Sequence, residues 1–185
     1  GCSLMAGRTP RLLDEAGLRA YALRILGARA HSAGELRDKL QKRASRASDV
    51  DAVVRQLKEY GYLNDEQFAE TFAYARRTSD GLGKARVLRD LRQRRVAPSV
   101  ARKAVDQAFE GIDELSLIED YLARKYRNVD LSQLLQTPAK LASVYRRLRH
   151  AGYSSGSSIR VLKRYASQAE QLDSLEDGLS EDEDS

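Results

Sequence analysis

The sequence predicts an all-α protein of three tandem three-helix repeats arranged as an elongated, curved array. Three observations lead there. Apolar residues keep helical spacing almost throughout, helix breakers recur at short intervals, and one basic pattern returns three times. With only three prolines in 185 residues and few β-branched runs, little competes with helix over any long stretch.

The elements follow in order. The first helix is expected over about Leu12 to Ala28. Ser32 with Glu35 three residues on forms a capping-box pattern, and Leu36 and Leu40 then share one face. Ser48 and Asp49 are expected to open the next helix, which carries Val50, Val53, Val54 and Leu57. Gly61 suits a left-handed C-terminal cap, and Asn64 or Asp65 can cap a helix with Phe68, Phe72 and Ala75 on one stripe. "SDGLG" breaks the pattern near Asp80, and a basic helix, Lys84 to Arg95, comes next. Pro98 fits a first helical turn, ahead of the small-residue face of Val100, Ala101, Ala104, Val105 and Ala108. Glu114 to Tyr126 carries Leu115, Ile118 and Leu122; Thr137-Pro138 opens a run with Leu141, Val144 and Leu148; "SSGSS" precedes Ile159, Val161, Leu162 and Tyr165. The count is nine helices and no strand.

Those nine fall into threes. "ELRDKLQKRA", "RVLRDLRQRRV" and "SVYRRLRHAGY" each hold an apolar pair at i and i+4, Leu36/Leu40, Val87/Leu91 and Val144/Leu148, spaced by 51 and 57 residues. A unit this small buries too little surface alone, so neighbours are expected to pack end to end. The expected organisation is a flexible extension over 1–11, repeats at 12–65, 66–113 and 114–172, and an acidic disordered tail over 173–185. Leu40, Leu57, Phe72, Leu91, Val105, Leu122, Leu148 and Leu162 are the expected core.

Charge is distributed unevenly. The formal net charge is +5, yet residues 173–185 hold seven acids and no base, leaving 32 − (27 − 7) = +12 on the rest. A basic body suggests a polyanionic or acidic partner. The segment Glu35 to Arg43 has four bases and two acids, Lys84 to Arg95 has six and one, and Lys140 to Arg149 has four and none. Positive charge therefore gathers at corresponding positions of the second and third repeats. On a helical wheel Val87, Leu88 and Leu91 turn in, which is expected to turn Arg86, Arg89 and Arg92 out.

Chemistry is absent from this reading. His31 and His150 sit near helix boundaries, where a cap or solvated ring is expected rather than a metal ligand. Cys2, the single cysteine, lies in a terminus with no ordered base to activate it. It also excludes an internal disulfide framework and fits a reducing, cytoplasmic setting. "GLGK" at Gly81 to Lys84 lacks the spacing and preceding strand of a phosphate loop. No catalytic residue, metal or cofactor is expected, and no apolar run approaches the roughly 20 residues that span a bilayer.

Several stretches resemble the RecX family of bacterial regulators of the RecA recombinase. They are "SAGELRDKL", "VVRQLKEYGYLNDEQFAETFAYAR", "GLGKARVLRDLRQRRVAPSVARKAV", "YLARKYRN" and "RRLRHAGYSSGSSIRVLKRY", which together cover Ala16 to Tyr165. The resemblance implies tandem three-helix repeats and a non-catalytic regulator. Such a regulator binds along the groove of the RecA–DNA filament and depresses its ATPase, strand-exchange and coprotease activities. Lys84, Arg86, Arg89, Arg92, Arg146 and Arg149 are then the expected filament- and DNA-binding residues. The expected partners are the recombinase filament and DNA phosphates, with weak sequence specificity, for a monomer that avoids membranes. The alternative is a basic helical DNA-binding protein acting without a recombinase. One departure concerns the turn after each repeat's second helix, where the family favours glycine. Here Arg43-Ala44 and Arg94-Arg95 stand in the first two repeats, and only Gly152 keeps it. A left-handed Arg95 would cost about 1 kcal/mol, so a different turn is expected there.

Overall fold

A computed structural model describes residues 10–174; the extension over 1–9, with Cys2, and residues 175–185 of the acidic tail lie outside the described residues. The described chain forms α1 (Glu15–Ala28), α2 (Ala33–Gln41), α3 (Ala47–Glu59), α4 (Asp65–Thr78), α5 (Lys84–Gln93), α6 (Pro98–Ala108), α7 (Glu114–Lys125), α8 (Leu131–Leu134), α9 (Pro138–His150) and α10 (Ser155–Lys163), closed by a 3-10 helix over Ser167–Leu172. No strand occurs among the described residues. The one β contact is an isolated parallel bridge between Leu13 and Ala44.

Local chemistry explains most boundaries. Ser32 accepts from the Glu35 amide at 3.1 Å while Glu35 reaches back to the Ser32 amide at 3.3 Å, completing the capping box. Asn64 caps α4 through the Gln67 amide at 3.0 Å. Gly61 is left-handed, at φ 80°. Four expectations need correction. Asp14 caps α1, so the helix starts at Glu15 and Leu13 is held in the bridge instead. Neither Ser48 nor Asp49 opens α3; it begins at Ala47 without a side-chain cap. The "SSGSS" run is mostly helix, because Ser154 caps α10 through the Ser157 amide. Two short elements, α8 and the 3-10 helix, bring the helices among the described residues to eleven rather than nine, since segments of four and six residues carry no periodicity to read.

The helices close on three separate apolar clusters, one for each set. The first gathers Leu18, Leu36, Leu40, Val53, Val54 and Leu57. The second gathers Ala69, Ala73, Val87, Leu91, Val96, Ala101, Ala104 and Val105, and its small residues let α4 lie close against α6. The third gathers Ile118, Leu122, Leu135, Val144, Leu148 and Leu162, with Ala169 and Leu172 of the 3-10 helix added. Every closely packed helix pair lies within one set. Of the expected core residues only Phe72 is half-buried. Its ring instead carries the Arg76 and Arg94 guanidiniums at 4.7 and 5.6 Å.

The turn after α5 settles the question raised by Arg94-Arg95. Arg95 does adopt the left-handed conformation, at φ 61°, contrary to expectation. The amides of Arg95 and Val96 donate to Arg92 O and Leu91 O, the same closure that Gly152 and Tyr153 make onto Arg149 O and Leu148 O. This pairing satisfies orphan helix carbonyls. The same closure therefore ends the second helix of both units.

Candidate functional site

The basic surface is built on α5 and α9. Val87 and Leu91 are fully buried on one face of α5, which fixes the rotation of the helix and leaves Arg89 and Arg92 exposed. In α9, Leu141, Val144, Tyr145 and Leu148 do the same, and Arg146 is exposed. Arg89 follows Val87 by two positions and Arg146 follows Val144 by two, so the pair occupies corresponding places on adjacent units. Neither they nor Arg92 makes a hydrogen bond or ion pair among the described residues. In the first unit that place belongs to Asp38, which pairs with Arg95 at 3.2 Å.

The other three expected residues are engaged. Lys84, at the start of α5, pairs with Asp106 at 2.8 Å with both partners about half exposed. Arg149 donates to Tyr153 O at 2.6 Å. Arg86 is not part of an outward row. Its side chain is 27% exposed, bonded to Asp90 at 3.1 Å and to His150 O of the next unit at 3.3 Å. A wheel sees only one helix, and the neighbouring unit's turn covers this residue.

Between α5, α6 and the start of α7 lies a groove of about 650 Å³. Leu88, Phe109, Ile112 and Leu117 give it an apolar lining, and Lys84, Arg102 and Arg149 line it too. Arg102 was not singled out from the sequence. Its signal was its place on α6, next to buried Ala101 and one turn before the Asp106 that holds Lys84. Asp106 and Glu114 also line the groove, and the latter's carboxylate is taken up by Ser154 and Ser157.

The titratable groups elsewhere serve structure. His31 is 4% exposed, not a solvated ring, with Nδ1 on Arg29 O at 2.9 Å and Nε2 facing Lys39 Nζ at 3.0 Å. Burial, with nearby Arg29 and Lys39, holds its pKa below the ordinary 6.5. Burial pushes the Tyr153 hydroxyl far above the ordinary tyrosine range, so it stays a donor, to Gly81 O. No group of three or more His, Cys, Asp or Glu side chains among the described residues could hold a metal. None of their helices is long and apolar enough to cross a membrane. What the surface can do is attract anions. Unpaired guanidiniums suit phosphates and carboxylates, and contacts of that kind carry little sequence information.

Known proteins agree with this architecture. Family models match twice, as the first three-helix domain of RecX over residues 19–57 and as the second over 64–105. The regulatory protein RecX of Shigella sonnei is 34% identical over 126 residues, covering 63% of this chain and 70% of that protein. Its counterpart in Syntrophotalea carbinolica is 28% identical over 147 residues, covering 80% and 92%. The crystal structure of RecX from Lactobacillus salivarius superposes with a TM-score of 0.61 at 15% identity over 82% of this chain and 96% of that one, a likeness of fold. With three-helix units in series and this identity over most of a relative's length, the chain belongs to the RecX family of regulatory proteins.

Proposed function

We propose that this chain is a non-catalytic regulator of the RecA recombinase. It binds along the groove of the recombinase–DNA filament and depresses ATP hydrolysis, strand exchange and coprotease activity, acting as a cytoplasmic monomer in DNA repair. Arg89, Arg92 and Arg146 carry the reading. They are exposed and, among the described residues, unpaired on corresponding faces of adjacent units, within a body of net charge +12. Lys84 and Arg149 flank them, and Arg86 supports them by holding the next unit. We place the three folding units at 12–65, 66–113 and 114–172.

The geometry supports a mechanism. A row of guanidiniums spread over two units can meet phosphates and acidic patches on neighbouring filament subunits together. Each exposed contact contributes at most about 1 kcal/mol, so affinity comes from their number. A bridged filament cannot pass freely through its nucleotide cycle.

The test is ATP hydrolysis by a RecA–DNA filament titrated with the protein. The parent should inhibit, and Arg89→Ala/Arg92→Ala/Arg146→Ala should inhibit at least about tenfold less well, the loss expected if three contacts contribute near 0.5 kcal/mol each. Helical content should be unchanged. A folded triple variant that inhibits like the parent overturns the assignment. Binding to bare DNA as tight as to the filament would favour the recombinase-independent alternative.

A further inference from the structure

The contacts between units repeat in position but differ in chemistry. Ser32 and Gly83 are the corresponding N-caps of α2 and α5, and Arg95 and Gly152 are the corresponding left-handed residues after α5 and α9. The turn of each later unit packs on the N-terminus of the second helix of the unit before it. A Cβ on Gly34 would lie 2.5 Å from Arg95 Cβ, and one on Gly83 would lie 2.5 Å from Gly152 C.

In the joint between units two and three, the donors meet backbone carbonyls. Gly83 and Ala85 amides donate to Ala151 O at 2.7 Å and Gly152 O at 3.2 Å. Arg124 donates to Thr78 O and Ser79 O at 3.3 and 3.2 Å, and Tyr153 to Gly81 O. Leu82 packs against the second and the third apolar clusters at once. The joint between units one and two is made differently. Apart from Ser32 donating to Arg94 O, its polar contacts run through carboxylates. Arg94 meets Glu35 at 3.3 Å and Arg95 meets Asp38 at 3.2 Å, while the Ala33 amide donates to Asp65 at 2.8 Å. No apolar residue is shared between the first and second clusters. In place of one, an open groove of about 620 Å³ separates α1 from α4, lined by Leu23, Leu26, Phe68 and Phe72.

We infer that units two and three form one rigid block, with Gly83, Gly152 and Leu82 as positioning residues that fix Arg89 and Arg92 relative to Arg146, while Glu35 and Asp38 make the first joint an ionic hinge. Salt discriminates the two. Screening shrinks from about 10 Å at 0.1 M to about 3 Å at 1 M, which weakens the exposed Arg95–Asp38 pair most and the more enclosed Arg94–Glu35 pair less, and leaves backbone hydrogen bonds and apolar contact in place. The first unit therefore swings on a fixed basic surface. The hinge stands on the joints alone; its consequence for inhibition rests on the proposed function.

Spin labels on the full chain test it, with Cys2→Ser as background. Arg55→Cys with Gln107→Cys spans the first joint, and Gln107→Cys with Arg160→Cys spans the second; all three parent residues are exposed. From about 0.1 M to about 1 M salt the first distance distribution should broaden and the second should not. Glu35→Gln/Asp38→Asn should broaden the first at low salt. Gly83→Ala should displace the second, and Tyr153→Phe, which keeps the ring, should broaden it if the alanine variant does not fold. Equal responses of the two joints, or none at either, overturn the inference. Filament inhibition is read in parallel. A parent that does not inhibit defeats the recombinase reading without touching the distances, whereas a displaced second joint with full inhibition defeats the positioning role.

Discussion

At Arg95 two rules compete, and the turn wins. A side chain at φ 61° costs about 1 kcal/mol or more relative to glycine, yet the position gains the helix closure onto Arg92 O, the packing on Gly34 and the ion pair with Asp38. Comparing Arg95→Gly with Arg95→Ala isolates the backbone term, because both lose the ion pair. The glycine variant should be more stable than the alanine variant by about 1 kcal/mol in urea unfolding. His31 gives a second prediction. The unfolded ring takes a proton at its ordinary 6.5, the buried ring only at lower pH. Between those two values the unfolded chain binds more protons, so stability falls as pH falls through that window and levels off below the folded pKa. Urea midpoints compared at about pH 7.5 and about pH 5.5 should show this decline in the parent, and His31→Gln should show less of it.

At the scale of elements, the N-terminus of α2 is the point where helix and array meet. Ser32 caps its own helix through the Glu35 amide and spends its hydroxyl hydrogen on Arg94 O of the next unit. Losing an N-cap oxygen costs about 1 kcal/mol, and leaving a part-buried carbonyl without its donor adds about 1 kcal/mol more. Ser32→Ala should therefore destabilise by roughly 2 kcal/mol, measured by chemical unfolding. A loss of only a few tenths would mean that the cross-joint bond contributes nothing. The capping box was readable in advance because four consecutive residues define it. The second role of Ser32 was not, because its partner lies 62 residues away. The short α8 and the 3-10 helix stayed hidden for a related reason: Leu135 and Leu172 are buried by tertiary packing and not by a helical stripe of their own.

For the whole molecule, charge is the lever. The body carries +12 and residues 173–185 carry seven acids, so we propose that the tail competes weakly for the basic surface. Removing 173–185 should tighten binding to a DNA oligonucleotide several-fold at about 0.05 M salt and leave it little changed near 1 M, where screening is a few ångströms. Unchanged affinity at low salt would retire the idea.

The order of helices, the three-unit plan and the inward residues of α5 and α9 were determined by the sequence itself. A period of 3.6 with caps and breakers is local information, and Val87, Leu91, Val144 and Leu148 are buried as that period requires. Tertiary structure decided which basic residues remain available. Arg86 and Arg89 look alike on a wheel, but the turn of the third unit accepts one of them and passes by the other. It also decided that one joint is tied by neutral backbone and the other by carboxylates, since that depends on which atoms of residues about 60 positions apart come within hydrogen-bonding distance.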